Sequence, residues 1–207
     1  MSPSVLGVLA GNDMPLEQLA DICARFDTIL AADGAVNQLQ SIGIRPDAVI
    51  GDFDSSTPQA RQSATEIHFA DDQSATDCDK LLAYAKAQRF DKVTLANVEG
   101  DRPDHFLSTL SSVVKSPLSI EITFRVGTGH IIRSGIPAVV ATQIGQTISL
   151  LPLVACVGVS LQGVEWPLDH ADLTVGGAIS ISNRATADSV HVEIERGTAL
   201  LFLIEGA

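Results

Sequence analysis

The 207-residue sequence predicts two joined fold classes: an N-terminal three-layer α/β domain with a mostly parallel sheet, and a C-terminal β-sandwich. Two patterns carry that prediction. Up to about residue 115, short β-like runs alternate with helix-like segments, the order that builds parallel strands with helices on their faces. From about Ser119 the helical signal disappears, and apolar runs recur at short spacing with Gly, Pro or Asn between them. A third observation ties fold to chemistry: polar and acidic residues follow the ends of the predicted parallel strands, where open α/β sheets bind their ligands.

In chain order, strands are expected at Val5 to Ala10, Thr28 to Ala32, Ala48 to Ile50 and Lys92 to Ala96, with a weaker one at Ile67 to Phe69. Helices are expected at Pro15 to Arg25, Ala35 to Ile42 (closed by Gly43), Asp77 to Gln88 and Asp104 to Val114. The β series then reads Ile120 to Val126, His130 to Ser134, Ala138 to Thr142, Thr147 to Leu151, Val157 to Leu161, Ala178 to Ser182, Val190 to Glu195 and Ala199 to Ile204. No sharp linker separates the halves, so the expected domains are residues 1–126 and 127–207.

Composition narrows the function classes. Hydrophobic residues make up 45% and charged residues 18%, enough apolar material for one large core or two small ones. Thirteen Lys plus Arg against 25 Asp plus Glu give a formal charge of −12, which argues against a nucleic-acid surface. An anionic substrate must therefore be met locally, by a metal or a few bases. Met1 to Ala10 lacks a basic leader, and the longest mostly apolar run, Ile148 to Val159, is too short to span a bilayer; the expectation is a soluble cytoplasmic protein with no membrane partner. Cys23, Cys78 and Cys156 are odd in number and widely spaced, so neither a disulfide framework nor a zinc site is expected.

Gly51-Asp52-Phe53-Asp54-Ser55 directly follows the run Ala48 to Ile50, so two carboxylates leave one strand tip. If the chain stays extended they share a face, about 6 to 7 Å apart. At an effective dielectric near 20 they repel by roughly 2 to 3 kcal/mol, which invites a cation, and carboxylate oxygens suit Mg2+ bound together with phosphates. The neighbouring strand ends carry Gly11 and Asn12, Asp33 and Gly34, and Asn97 to Asp104. A further group, Asp71, Asp72, Gln73, Thr76, Asp77 and Lys80, opens a helix that Thr76 or Asp77 would cap, with Lys80 one turn on. Gly100-Asp101-Arg102-Pro103-Asp104-His105 adds a guanidinium fork and another carboxylate. Each piece also has a plain reading: the Asp52–Asp54 segment as a turn with a helix cap, Arg102 with Asp104 and His105 as a surface ion pair, Trp166 as core filler. Convergence of four acidic strand ends favours the functional one.

Asp33-Gly34-Ala35-Val36-Asn37, Gly51 to Ser55, Gln73 through Thr76-Asp77 to Lys80, and Gly100 to His105 occur in an order that resembles the thiamine pyrophosphokinases. Ser160 to Leu168, with Trp166 shortly after Gly163, and Ser180-Ile181-Ser182-Asn183 resemble that family's C-terminal segments, so the resemblance covers nearly the whole chain. It implies transfer of the pyrophosphoryl group of ATP to the hydroxyl of thiamine, giving thiamine diphosphate and AMP. It further implies Asp52, Asp54, Asp77 and Asp104 as direct or water-mediated Mg2+ ligands, and Asp33 as a further ligand or the group orienting the hydroxyl. Arg102 and Lys80 would hold phosphates, near Gly11, Asn12 and Thr76, while His105 orients a neighbour. No protein nucleophile is needed, since positioning and charge stabilisation dominate such transfers. Trp166, the only tryptophan, would face the cationic thiazolium ring, with Ser180, Ser182 and Gln73 as hydrogen-bonding candidates for the pyrimidine and Asn183 beside them. Ser180 and Ser182, two apart on an expected strand, should share a face.

In the family the nucleotide and thiamine parts meet across a dimer, so a homodimer with composite sites is expected. Ala35 stands where the family often has a second glycine, and Asp101 where it often has one before the arginine; Ala35 matters if that position needs a positive φ. Three other readings stay open: a pyrophosphokinase acting on a hydroxymethylpterin, a non-catalytic thiamine-binding protein, and a purely structural protein.

Overall fold

The computed structural model describes residues 3–12, 14–100 and 102–205. The chain separates into two compact units, Met1–Arg125 and Val126–Ala207.

Six parallel strands among the described residues form the sheet of the first unit: β1 (Val5–Val8), β2 (Thr28–Ala32), β3 (Ala48–Gly51), β4 (Glu66–Phe69), β5 (Lys92–Ala96) and β6 (Ser119–Phe124). Their order is β6-β5-β1-β2-β3-β4. The chain runs outward one way from β1 to β4, then returns to the other side of β1 with β5. That reversal beside β1 is the kind of switch point at which a cleft opens at the strand ends. The segment Ile120 to Val126, read above as the start of the β series, instead supplies β6, paired in parallel with β5 after a helical crossover.

Helices cover both faces of this sheet. Leu19 and Ile22 of α1 (Leu16–Cys23), Val36 and Leu39 of α2 (Val36–Ser41) and Ala60 of α3 (Pro58–Gln62) pack with Leu6, Val8, Ala31, Val49 and Ala96. On the opposite face lie α4 (Asp77–Ala87), against β2 and β3, and α5 (Pro103–Lys115), against α4. Leu81 of α4 sits so close to Gly7 that an added Cβ would come within 2.8 Å of it, so β1 has no side chain there. Alternation along β1 therefore sorts Leu6 and Val8 to one helix layer and Gly7 to the other. Helix α3 was not expected, although Thr57 caps it and Pro58 occupies its first turn; five residues offer too little periodicity to register.

The second unit has two antiparallel sheets of four strands each among the described residues. One is ordered β12-β9-β14-β7, from β7 (Gly127–Arg133), β9 (Thr147–Pro152), β12 (Ser180–Arg184) and β14 (Thr198–Ile204). The other is β11-β10-β13-β8, from β8 (Ala138–Ala141), β10 (Cys156–Gln162), β11 (Leu168–Leu173) and β13 (Ser189–Arg196). Ile148, Leu150 and Leu201 of the first sheet pack with Val159, Leu161, Val190 and Val192 of the second, the shared core of a sandwich. Strand β11 was missed because its polar sequence, Leu-Asp-His-Ala-Asp-Leu, lies at a sheet edge with little apolar alternation to betray it.

Candidate active site

The carboxyl ends of β2 and β3 deliver the first acids. Asp33 follows β2 in a short 3-10 turn, Asp33–Ala35, and is 1% exposed. A Cβ on Gly51 would come within 2.7 Å of the Asp33 Cβ, so glycine at the end of β3 lets that carboxylate sit against the neighbouring strand. Asp52 and Asp54 follow. Ligand atoms of Asp33, Asp52 and Asp54 all lie within 4.8 Å of one another, closer than the strand spacing predicts. The reason is local: Phe53, between the two, has φ 67°, so the chain leaves the extended conformation.

A cleft of about 470 Å3 opens over these acids. Gly11, Asn12, Asp52, Asp54, Gln73, Thr76, Asp77, Lys80, Arg102 and His105 line it, together with Gly34, Ser55, Glu99 and Gly100. Gln73 Nε2 donates to Asp52 Oδ2 at 3.1 Å. Lys80, 8% exposed, places Nζ 3.3 Å from Asp52 Oδ2 and 4.0 Å from Asp77 Oδ1. Thr76 caps α4 in a reciprocal box with Asp79, its Oγ1 accepting from Asp79 N at 3.1 Å while Asp79 Oδ2 accepts from Thr76 N at 3.1 Å. That box aims the first turn of α4, and so Asp77 and Lys80, at the acids from β2 and β3.

Electrostatics separate these groups. Burial pushes the Asp33 carboxyl above its ordinary range, and the charges of Asp52 and Asp54 add to the rise against hydrogen bonds from Ser55 and Gly34. Asp77 is also raised, first by burial and then by Asp33, with Lys80 opposing. Its side chain is 45% exposed, so water screens it more than it screens the buried Asp33. At Asp52 desolvation works upward, but hydrogen bonds from Gln73 and Lys80 and the lysine charge outweigh it and hold the carboxyl low. One ammonium, Lys80, thus meets Asp52 and Asp77 beside the three clustered carboxylates. Oxygen donors as close as those of Asp33, Asp52 and Asp54 fit a hard divalent cation.

Asp104 is not gathered with them. Its oxygens are held by Arg102, with Nε 3.0 Å from Oδ1 and Nη2 2.7 Å from Oδ2, and both side chains are more than 60% exposed. This fork holds the Asp104 carboxyl down at about 2. Asp104 does not line the cleft, whereas Arg102 and His105 do. Ala35 has φ −76°, a right-handed helical value, so no positive φ is required where the family often has glycine. Asp101 lies outside the described residues.

Sequence reasoning named Asn97 only as the start of the polar segment after β5 and gave it no role; it is fully buried, with φ 58°. Its Nδ2 donates to Leu9 O at 2.6 Å and Gln38 Oε1 at 2.8 Å, and its carbonyl accepts from Gly11 N at 2.8 Å. It thereby ties the loop after β1 to the loop after β5, and Asn12 bridges to Gly100 across them. The available signal was asparagine at a strand tip, a residue that tolerates this conformation. A hollow of about 640 Å3 at the amino ends of β1 and β5, bordered by Phe26, Arg89 and the paired Lys92 and Glu121, has no comparable carboxylate group among the described residues.

In the second unit, Trp166 is 57% exposed. Asn183, 2% exposed, holds its backbone: Nδ2 donates to Trp166 O at 2.7 Å and to Ser180 Oγ at 3.3 Å, and Oδ1 accepts from Trp166 N at 3.1 Å. The indole is therefore presented outward from a fixed loop. Ser180 and Ser182 do not follow simple strand alternation. Pairing with β9 shifts between Ser180 and Asn183, and Ser182 has φ 56°, with its N–H donating to Ser149 Oγ at 3.1 Å.

Comparison with known proteins places this geometry in context. A family model described as thiamin pyrophosphokinase, catalytic domain, matches residues 19–124. A second, described as thiamin pyrophosphokinase, vitamin B1 binding domain, matches residues 136–199. A thiamine pyrophosphokinase of Bacillus subtilis (strain 168) is 26% identical over 163 residues, 74% of this chain and 76% of the relative. The crystal structure of a Bacillus subtilis thiamine pyrophosphokinase superposes with TM-score 0.79 at 22% identity, covering 99% of this chain and 100% of that one. Thiamin pyrophosphokinase from Candida albicans gives 0.80 at 17% identity, covering 98% and 90%. At these identities the two structures speak for the fold. No helix among the described residues is long and apolar enough to cross a membrane.

Proposed function

The chain belongs to the thiamine pyrophosphokinase family and is an enzyme, a thiamine diphosphotransferase; from that premise we propose how its own residues carry out the transfer. ATP is the proposed donor, its phosphates lying in the cleft. Asp33, Asp52 and Asp54, with Asp77 beside them, would hold Mg2+. The chemistry such a metal would supply is neutralisation of phosphate charge.

The remaining work falls to the protein. Lys80 is proposed to leave its pairing with Asp52 for a phosphate oxygen. Arg102 presents its fork at the cleft wall, with Asp104 setting the orientation of the guanidinium, and His105 packs beside them at the start of α5. Gly11 and Asn12, drawn against Gly100, offer backbone at the mouth where phosphate must approach closely. The thiamine hydroxyl attacks the β-phosphorus in line and AMP leaves, so alignment and charge neutralisation supply most of the acceleration. A carboxylate of the cluster takes the hydroxyl proton, and Asp33, raised by burial, is the proposed orienting group. Trp166 is proposed to face the thiazolium cation, where an indole contributes roughly 0.5 to 2 kcal/mol, with Ser180, Ser182 and Gln73 available to the pyrimidine. Asn183 acts indirectly, by holding the tryptophan loop. A homodimer completes the proposal; light scattering should give the mass of two chains, and a single-chain mass under assay conditions would remove it.

One observation carries the reading: three carboxylates within 4.8 Å of one another, two of which, Asp52 and Asp54, line a cleft that also presents Lys80 and Arg102, inside the region matched to the family's catalytic domain. The test is incubation with ATP, Mg2+ and thiamine, with AMP and thiamine diphosphate measured together. Both should appear in equal amounts, and absence of AMP at every Mg2+ concentration would refute the reading. A hydroxymethylpterin in place of thiamine should give no product.

A further inference from the structure

Asp52 and Asp54 are brought together by the conformation of the residue between them, and that conformation is held from outside the cleft. Phe53 has φ 67°, a left-handed value that a bulky side chain adopts only where its surroundings over-determine it. The Phe69 ring lies 5.8 Å from that of Phe53, and the polar partner is Arg61, on α3. Its Nη1 donates to Phe53 O at 2.8 Å, to Ser56 O at 3.3 Å and to Ser56 Oγ at 3.3 Å. The same guanidinium lies 5.2 Å from the centroid of the Phe53 ring. Among the described residues its hydrogen-bond partners are thus loop backbone and one hydroxyl; one nitrogen, Nη1, grips the turn while the guanidinium lies over the side chain that makes it.

A second clamp meets the loop from the other side. Asn37 of α2 donates from Nδ2 to Ser55 O at 3.0 Å and accepts from Thr57 N at 3.0 Å. Ser55 in turn donates from Oγ to Asp54 Oδ1 at 2.8 Å and from N to Asp33 Oδ2 at 3.4 Å. Helix α3 is short and capped at Thr57, so Arg61 reaches the loop from a fixed base one turn away. A planar, permanently charged group suits this task better than lysine, because its guanidinium carbon stays over the Phe53 ring while Nη1 donates to both carbonyls.

We propose that Arg61 is a positioning residue for the phosphoryl-transfer site: it locks Phe53 in its left-handed conformation and thereby fixes the spacing of the Asp52 and Asp54 carboxylates for a divalent cation. The inference rests on the proposed metal role of those acids. Outer-shell partners of metal-binding carboxylates typically change affinity by about 10- to 100-fold.

The experiment measures Mn2+ binding to the ATP-free protein by electron paramagnetic resonance, so turnover is not the readout. Arg61→Met, which keeps the aliphatic stem, should weaken Mn2+ binding about tenfold or more. Arg61→Lys should recover only part of that loss. In the assay, the Mg2+ concentration for half-maximal rate should rise in parallel while KM for thiamine stays unchanged, a split that general loosening would not produce. Glycine meets no penalty at positive φ, so the loss caused by Arg61→Met should be smaller in a Phe53→Gly background than in the native one. Wild-type Mn2+ affinity in both Arg61 variants, or equal losses in both backgrounds, would overturn the proposal. If Arg61→Met does not fold, Arg61→Lys decides: unchanged Mn2+ affinity overturns it and weakened affinity supports it. Failure of the metal reading itself looks different, because Asp54→Asn would then bind Mn2+ as well as the native protein.

Discussion

Asp33 and Asp104 both follow or open helical turns beside the same cleft, yet their surroundings treat a carboxylate in opposite ways. Asp33 is buried, with Asp52 and Asp54 beside it, and is pushed above the ordinary carboxylate range. Asp104 is exposed, held in a two-pronged grip by Arg102, and pulled down to about 2. The first arrangement keeps an electrostatic demand unmet in the protein alone; the second is already neutralised. Burial and like-charge repulsion concentrated on one spot are a demand that the proposed cation would relieve.

Removing one member of the unmet group should have the largest effect. Asp54→Asn keeps size and shape but removes a charge from the three-carboxylate cluster, and turnover should fall by about two orders of magnitude or more while the circular-dichroism spectrum is unchanged. Native turnover in this variant would remove Asp54 from the metal site and erase the contrast with Asp104.

The next effect has the opposite sign for stability. In the metal-free protein the neutral form of Asp33 is favoured by the fold, so the fold holds its proton more tightly than the unfolded chain does. Its contribution is therefore fully present below the unfolded carboxylate value near 4, and is lost as pH rises through the raised folded value. At pH 7 the native protein bears that loss, whereas Asp33→Asn does not. The variant should melt about 2 °C or more above the native protein at pH 7 without metal, a gap that narrows as pH is lowered toward 4, while Mn2+ binding is lost. A lower melting temperature at pH 7 would mean that the Ser55 and Gly34 hydrogen bonds outweigh burial.

How far the sequence revealed this contrast depends on which force sets each feature. The parallel strands Thr28–Ala32 and Lys92–Ala96 matched expectation because buried β-rich runs between helical segments are a local signal. The acids of the cleft were visible as residues after strand ends, but their arrangement was not: a left-handed Phe53 takes the segment carrying Asp52 and Asp54 out of the extended conformation, and nothing in a phenylalanine announces that backbone. The roles of Asn97 and Arg61 were not legible because they act through tertiary hydrogen bonds to residues distant in sequence or to backbone atoms, which leave no periodicity. Asp104 was expected among the metal ligands as an acid at a strand end and from the family resemblance; that Arg102 meets both its oxygens in the free protein was not legible.

The smallest expected effect belongs to that satisfied pair. The folded value of Asp104 lies below its unfolded one, so its contribution to stability is present above pH 4 and fades as pH falls toward 2. Because both partners are largely exposed, water and salt screen the pair, and Asp104→Asn should move the melting temperature by no more than about 2 °C at pH 7. Its effect on activity should pass through Arg102: released from its partner, the guanidinium samples more orientations, and KM for ATP should rise by less than about tenfold, with the Mg2+ requirement unchanged. Arg102→Lys, which lacks the fork, should show a larger rise than Asp104→Asn. A strong Mg2+ dependence in Asp104→Asn would instead place that carboxylate with the cluster, making the two acids alike in the working enzyme despite their separation in the free protein.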